Sequence, residues 1–195
     1  MKFSELAANL DQMEATKSRN ELVRILSNVY RDSSADELGP ITYLIQGRLA
    51  PFFEPVEIGL GERLLITAIA LAYRAPKDEV TKLNRETGDL GITAQRLAPR
   101  PTVESPSVIE VHRRLSEIAA AGGAGSQQKK LDVFTGLLGE LDAVSAKHLV
   151  RITLGKMRLG IGDPTALDAL SFATGSRIQP DVGSRPHRTD ALGRW

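Results

Sequence analysis

The 195-residue sequence contains no cysteine, which excludes a disulfide framework and a thiolate metal site. It also lacks an apolar run long enough to cross a bilayer. The N-terminal segment mixes charged and apolar residues, unlike a secretory signal. These absences predict a soluble, intracellular protein that makes no use of a membrane.

The sequence also has little net charge and few aromatic residues. The formal net charge is only +1, so any binding of a polyanion must depend on local clusters of lysine and arginine. Aromatic residues make up 5% of the chain, and Phe52, Phe53, Tyr73 and Phe134 fall at apolar positions of the pattern. This placement argues against a surface that stacks the bases of single strands.

The chain does contain repeated signals for helix starts. Ser18, Ser34 and Ser107 each precede a glutamate by three residues, the spacing of a capping box. Apolar residues then recur at helical spacing, and no sustained period-two alternation indicates a sheet. The sequence therefore predicts an all-α protein. Besides the three capped helices and one at the N-terminus, helices are expected at 61–73, 77–85, 90–96, 127–138, 145–154 and 164–172.

Two stretches organise the chain. The proline-rich stretch Pro99–Pro106 disfavours helix and predicts a crossover between two helical lobes of one compact domain, residues 1–173. The remainder, residues 174–195, is rich in Gly, Pro, Ser and Arg and has no apolar period. We expect it to be a disordered or non-native tail, although its four arginines would also suit a polyanion.

The stretch "LGKMRLGIGD", residues 154–163, combines glycines with two cations. Gly155 can end a helix, and an extended segment after it places Lys156 and Arg158 on one face and two apolar side chains on the other. Gly160 and Gly162 leave room for another backbone to approach closely. Asp163 and Pro164 are expected to cap and begin the next helix.

Two further glycine turns precede helices beside cations. In the first, Gly125 and Ser126 precede Lys129 and Lys130, and Ser126 is expected to cap the helix. A nucleotide-binding loop is rejected there, because it requires Gly-Lys-Ser/Thr after a strand. The helix start favours a single phosphate instead, while a flexible loop with solvated lysines is the simpler alternative.

The third turn contains Gly88 and Gly91, flanked by Arg85 and Arg96. Repeated helix ends beside cations suit a row of phosphates, since such contacts position a duplex without reading its sequence.

No set of residues indicates catalysis or metal binding. His112, His148 and His187 lack metal-ligand spacing, and the first two are expected to be satisfied surface or core histidines. No serine or threonine has an identifiable catalytic base. Lys130-Leu131-Asp132-Val133 lacks the glycine of a nucleotidyl-accepting Lys-x-Asp-Gly motif and lies in an expected helix. We therefore expect no catalytic residue and no metal site.

Four segments in register resemble the N-terminal DNA-binding domain of ATP-dependent DNA ligases of the archaeal and eukaryotic replicative type. They are "YLIQGRLAPFFEPVEIGLGERLL" (43–65), "TGDLG" (87–91), "GAGSQQKKLDVFTGLL" (123–138) and "ITLGKMRLGIGDPTALDAL" (152–170). The resemblance implies an all-helical module that grips nicked duplex DNA across the minor groove, mainly through phosphates. The contacts that it implies are Gly125, Ser126, Lys129 and Lys130 in one loop, and Gly155, Lys156, Arg158, Gly160 and Gly162 in the other.

The resemblance also implies partners that this chain does not contain. In such ligases a nucleotidyltransferase domain and an oligonucleotide-binding barrel follow, and they use ATP and Mg²⁺ to seal nicks in replication, repair and recombination. This chain is therefore expected to bind DNA without catalysing ligation and to hold no cofactor itself. A sliding clamp is a further expected partner, and the location would be cytoplasmic and nucleoid-associated in a prokaryote. The alternative is a helical docking module without DNA affinity of its own, which predicts an exposed apolar patch.

Overall fold

The structure is a computed structural model that describes residues 1–54 and 56–175. Ten helices occupy the described residues, whose only β pairing is an isolated antiparallel bridge between Lys2 and Ser107. The prediction of an all-α fold is confirmed. The helices are α1 (Phe3–Ala15), α2 (Arg19–Arg31), α3 (Ala35–Leu44), α4 (Glu62–Ala72), α5 (Lys77–Thr87), α6 (Leu90–Leu97), α7 (Val108–Ala120), α8 (Ser126–Gly139), α9 (Ala143–Thr153) and α10 (Asp163–Ala173).

Several helices begin where the sequence places a cap. The hydroxyls of Ser18 and Ser107 accept hydrogen bonds from the backbone N–H groups three residues later, at 3.4 and 3.1 Å. At Ser34 the reciprocal bond forms, since the Glu37 carboxylate accepts from the Ser34 N–H at 2.9 Å. Local hydrogen bonding thus sets these starts as predicted.

Two predicted caps are wrong. Gly125 is the N-cap of α8 and Ser126 is its first helical residue, so the serine hydroxyl does not cap the helix. Similarly, Gly162 caps α10, and Asp163 lies inside it. The Asp163 carboxylate instead accepts a hydrogen bond from Arg48 at 2.5 Å, a partner that is far away in the sequence.

The two predicted lobes share one hydrophobic core. The helix pairs α1–α9, α2–α10, α3–α7, α4–α8 and α6–α9 each join a helix before the crossover to a helix after it. The crossover returns to the N-terminus, where the Phe3 N–H donates to the Pro106 carbonyl at 2.8 Å and the Val108 N–H donates to the Met1 carbonyl at 3.1 Å. The chain halves therefore depend on each other for burial.

Helix α9 lies at the centre and is buried from Ser145 to its end at Thr153. Its buried charges are paired: Arg151 donates to Glu14 of α1 and to Asp89 before α6, each at 2.8 Å. Lys147 donates to Glu14 at 2.9 Å and to Asp11. A buried charge without such partners would be strongly destabilising, so these ion pairs fix how α1 and α6 lie on α9.

Two further expectations concern the C-terminal tail and the absence of a membrane span. The expected tail from residue 176 onward lies outside the described residues. Within the described part, no helix has the length and apolar character needed to cross a membrane.

Candidate nucleic-acid interface

Helix α9 ends in a tight glycine turn that starts the basic segment. The Gly155 N–H donates to the Ile152 carbonyl at 3.0 Å and the Lys156 N–H donates to the Arg151 carbonyl at 2.9 Å, the pair of bonds in a Schellman motif. Gly155 has φ +63°, a left-handed conformation that favours glycine. The predicted helix end at Gly155 is confirmed.

The segment after this turn alternates as the sequence predicts. Lys156 and Arg158 are exposed, Leu159 is buried and Met157 is partly buried. The apolar side chains anchor the segment to the core, while the two cations remain available to an anion. The basic face is therefore held on a fixed support.

The turn at Gly88 meets this basic segment. Gly88 ends α5 in a left-handed conformation, and Asp89 then caps α6 by accepting from the N–H groups of Gly91 and Ile92 at 2.8 and 3.2 Å. The Arg158 Nε lies 3.4 Å from the Asp89 carboxylate. Two of the predicted sites thus become neighbours, although Gly88 and Gly155 are 67 positions apart in the sequence.

A cavity of about 230 Å³ lies between these two segments. Arg85 and Lys156 in its wall have no ion-pair partner among the described residues, and Arg158 is only loosely paired at its Asp89 contact. Burial alone would raise the pKa of Asp89, but Arg151, the Ile92 N–H and Arg158 together outweigh that effect and hold the pKa below its usual range. Asp89 therefore remains ionised and keeps Arg151 and Arg158 in place. The cavity is lined by Glu62, Asn84, Arg85, Gly88, Asp89, Leu90, Arg151, Leu154, Lys156 and Arg158.

Sequence reasoning missed a further glycine turn, which follows the end of α3. The Gly47 and Arg48 N–H groups donate to the Leu44 and Tyr43 carbonyls at 3.0 and 3.1 Å, which repeats the bonding at Gly155. A Cβ atom built on Gly47 would lie 3.0 Å from the Gly155 Cα, so the two turns touch. The signal was present, because Gly47-Arg48-Leu49 repeats the glycine–cation–apolar order of residues 155–157.

The loop before α8 joins the same surface through the segment that precedes α4. The Lys130 Nζ lies 2.8 Å from where a Cβ atom on Gly59 would be, and Glu62, three residues later, lines the cavity with Lys156 and Arg158. No side chain caps the N-terminus of α8, where Gly125 has φ +79°. The uncapped start of α8 therefore leaves backbone N–H groups that suit an anion, as do the starts of α4 and α10, which also have no side-chain cap. Lys129 is less available, because its Nζ lies 3.3 Å from Glu117.

The remaining predicted residues divide into exposed and buried positions. Gly160 and Gly162 are exposed and line a second cavity, also of about 230 Å³, beside Gly155 and Gln46. Gly91 is buried, and a Cβ atom there would lie 2.8 Å from the Lys147 carbonyl oxygen of α9. Helix packing therefore accounts for the glycine at position 91, whereas the other predicted glycines lie in exposed turns.

Asp11, Glu14 and His148 approach one another closely enough for a shared cation. Lys147 already donates to both carboxylates, and Arg151 donates to Glu14. These ammonium and guanidinium groups supply the positive charge that a metal ion would otherwise supply. We interpret the cluster as part of the core.

Comparison with known proteins identifies the family of this chain. A family model described as "DNA ligase N terminus" matches residues 2–171. The chain belongs to this DNA ligase N-terminal family.

Its relatives are longer proteins. A probable DNA ligase of Dictyoglomus turgidum is 39% identical over 173 residues, covering 89% of this chain and 30% of that protein. DNA ligases of Aeropyrum pernix and Sulfolobus acidocaldarius are 38% and 36% identical, and the match covers 90% and 92% of this chain and 32% and 33% of those proteins. The chain thus spans about a third of the length of the DNA ligases it matches.

Proposed function

We propose that this chain binds double-stranded DNA, including nicked DNA, through backbone phosphates across the minor groove. The observation that carries the proposal is the meeting of separate glycine turns with exposed cations: Gly88, Lys156 and Arg158 share one cavity, and Gly47 touches Gly155. Cations on a rigid support bind phosphates without reading the base sequence. Membership of the DNA ligase N-terminal family supports the same class of ligand.

The glycine turns favour a close approach of the DNA backbone. At Gly155 and Gly160 a side chain is absent and φ is positive, so the main chain is open to the surface. The uncapped start of α8 adds N–H donors that suit a phosphate oxygen. Shape and charge together therefore favour a duplex backbone over a small anion.

Fluorescence anisotropy titration with nicked and intact duplexes at two salt concentrations tests the proposal. The double variant Lys156→Ala/Arg158→Ala should bind about tenfold or more weakly at moderate salt. Its log–log salt slope should fall by about 1 to 2, since each lost phosphate contact removes about 0.9.

The matched control is Arg24→Ala/Arg31→Ala, which removes the same charge from exposed positions on α2. Both variants should keep the wild-type helicity, and the control should keep the wild-type salt slope. Equal weakening by the two variants would show that only net charge matters. Loss of helicity in the first variant alone would show that Lys156 and Arg158 are structural.

We further propose that the domain serves an ATP-dependent ligase in DNA replication, repair and recombination inside the cell. ATP and Mg²⁺ would act in the nucleotidyltransferase part, and that part and the oligonucleotide-binding barrel would be partners of this domain. A sliding clamp is a further proposed partner. The supporting observation is that the DNA ligases it matches are about three times as long as the matched region.

One observation favours a docking role as the second candidate function. Leu167 and Phe172 of α10 are 64% and 59% exposed, at the end of the family match. Exposed apolar side chains of this kind are typical of protein contacts. If the wild-type chain binds neither duplex at low salt, the docking role replaces DNA binding as the proposal.

A further inference from the structure

Phe52 and Phe53 form an exposed aromatic pair, contrary to the expectation that they occupy ordinary apolar positions. Their exposed fractions are 77% and 70%, and their ring centroids lie 5.5 Å apart in an edge-to-face arrangement. Such large apolar area costs free energy in water, so a ligand that covers it would be favoured. The flanking proline Pro51 was the sequence signal for a turn at this place.

The pair is held at the tip of a β-turn. The Glu54 N–H donates to the Pro51 carbonyl at 2.9 Å, which places the two phenylalanines at the central positions of the turn. The base of the turn is anchored on one side, because Leu49 is buried and its carbonyl accepts a hydrogen bond from His112 at 2.8 Å. On the other side, Ile58 and Leu60 are buried. The tip is therefore presented on a fixed base.

Both ends of this segment lie on the candidate nucleic-acid interface. One end is the Gly47 turn, which touches Gly155, and the other is Gly59, which touches Lys130. Phe52 is five residues from Gly47 and Phe53 is six from Gly59, so the tip lies within about 20 Å of both contacts. One turn of duplex DNA is about 34 Å long, so a duplex that spans both contacts passes within reach of the tip.

From this placement we propose that Phe52 and Phe53 insert as an apolar wedge into the minor groove, against sugars and base edges. The wedge rests on the proposed DNA binding, and it adds a contact that involves no phosphate. Apolar side chains that enter the minor groove partly unstack base steps, which costs least where stacking is already interrupted, as at a nick. The exposed carboxylates of Glu54 and Glu57 repel phosphates, which leaves the aromatic rings as the favourable contact of this tip.

The test uses the full chain and duplexes that carry 2-aminopurine beside the nick. Phe52→Ser/Phe53→Ser should weaken binding of nicked duplex about tenfold, within the range measured for loss of aromatic contacts with bases. The salt slope should stay at the wild-type value, because no cation is removed. The wild type should raise the 2-aminopurine fluorescence, and the serine variant should not.

Two control variants separate a wedge from other effects. Phe52→Leu/Phe53→Leu keeps an apolar tip and should retain most of the affinity. Leu71→Ser removes an apolar side chain that is 55% exposed elsewhere, on α4, and should change nothing.

Three results would overturn the wedge. The first is a serine variant that binds nicked duplex as tightly as the wild type and gives the same fluorescence response; the tip would then be a contact for a protein partner. DNA binding would still stand in that case if Lys156→Ala/Arg158→Ala bound weakly. A reduced salt slope in the serine variant would mean that the turn merely positions phosphate contacts. Absence of duplex binding by the wild type would remove the proposed function and the wedge with it.

Discussion

His148 shows how the surroundings of one residue set its chemistry. The side chain is fully buried on α9, between the cations Lys147 and Arg151 and the carboxylates Asp11 and Glu14. Burial lowers the pKa most and the two cations lower it further, to about 4, although the carboxylates oppose them. The sequence predicted a satisfied surface or core histidine, whereas the structure buries the ring with no hydrogen-bond partner for either nitrogen among the described residues. This burial favours the neutral ring.

The low pKa of His148 predicts a loss of stability in mild acid. The His148 side chain takes up a proton near pH 6.5 in the unfolded chain and near pH 4 in the folded chain. The contribution of neutral His148 to the free energy of unfolding is therefore complete above pH 6.5 and is lost as the pH falls toward 4. By pH 5 the free energy of unfolding should fall by about 2 kcal/mol. Urea unfolding at pH 7.5 and pH 5 measures this difference.

His148→Gln is the control for that measurement, because glutamine does not titrate. The variant should be less stable at pH 7.5, yet its stability should change much less between the two pH values. An equal loss in both proteins would assign the pH dependence to other groups.

At the scale of elements, the contact of α6 with α9 depends on a missing side chain. Gly91 in α6 lies against the Lys147 carbonyl and the Arg151 side chain, with no room for a Cβ atom. Gly136 in α8 is also helical, but a Cβ atom there would meet nothing within 4 Å. Helix packing therefore requires glycine at position 91 but not at position 136, although both residues lie in helices.

These surroundings predict opposite effects of alanine. Gly91→Ala should lower the free energy of unfolding by about 1–3 kcal/mol, because the backbone of α9 must shift. Gly136→Ala should raise it by about 0.5–1 kcal/mol, since alanine is the better helix former. Thermal or urea unfolding of both variants decides the matter, and a neutral Gly91→Ala would show that α6 does not pack on α9 this closely.

At the scale of the whole molecule, the halves on either side of the crossover are interleaved. Each of the five main helix pairs across the crossover buries apolar surface that neither half could bury alone. A fragment of residues 1–98 or 107–175 would therefore expose much of its core to water.

We expect neither fragment to unfold cooperatively, while an equimolar mixture should regain helicity. Circular dichroism of each fragment and of the mixture, with thermal melts, measures this. Cooperative melting of one isolated fragment would mean that it is a domain in its own right.

Local patterns in the sequence determined the helices and the basic glycine segments. Caps such as Ser18 and Ser107, and the alternation at residues 156–159, depend on neighbours within about four positions, so they can be read directly. The same reasoning failed at Ser126 and Asp163, where glycine takes the cap position. Capping preference is only a tendency of residue type. At α8 a left-handed glycine takes the cap position, and at α10 the Asp163 carboxylate pairs with the distant Arg48 instead of capping the helix.

The tertiary structure alone decided which of these segments meet. Asp89 and Arg151 are separated by 62 positions and Arg48 and Asp163 by 115, and no local pattern indicates such pairs. Nor does hydrophobicity alone say that Phe52 and Phe53 face water, because a turn places them there while their neighbours Leu49 and Ile58 are buried. The sequence by itself determined the helices and the glycine segments that carry exposed cations. The packing of distant helices decided which of those segments are neighbours, because burial of the shared core brings their turns together.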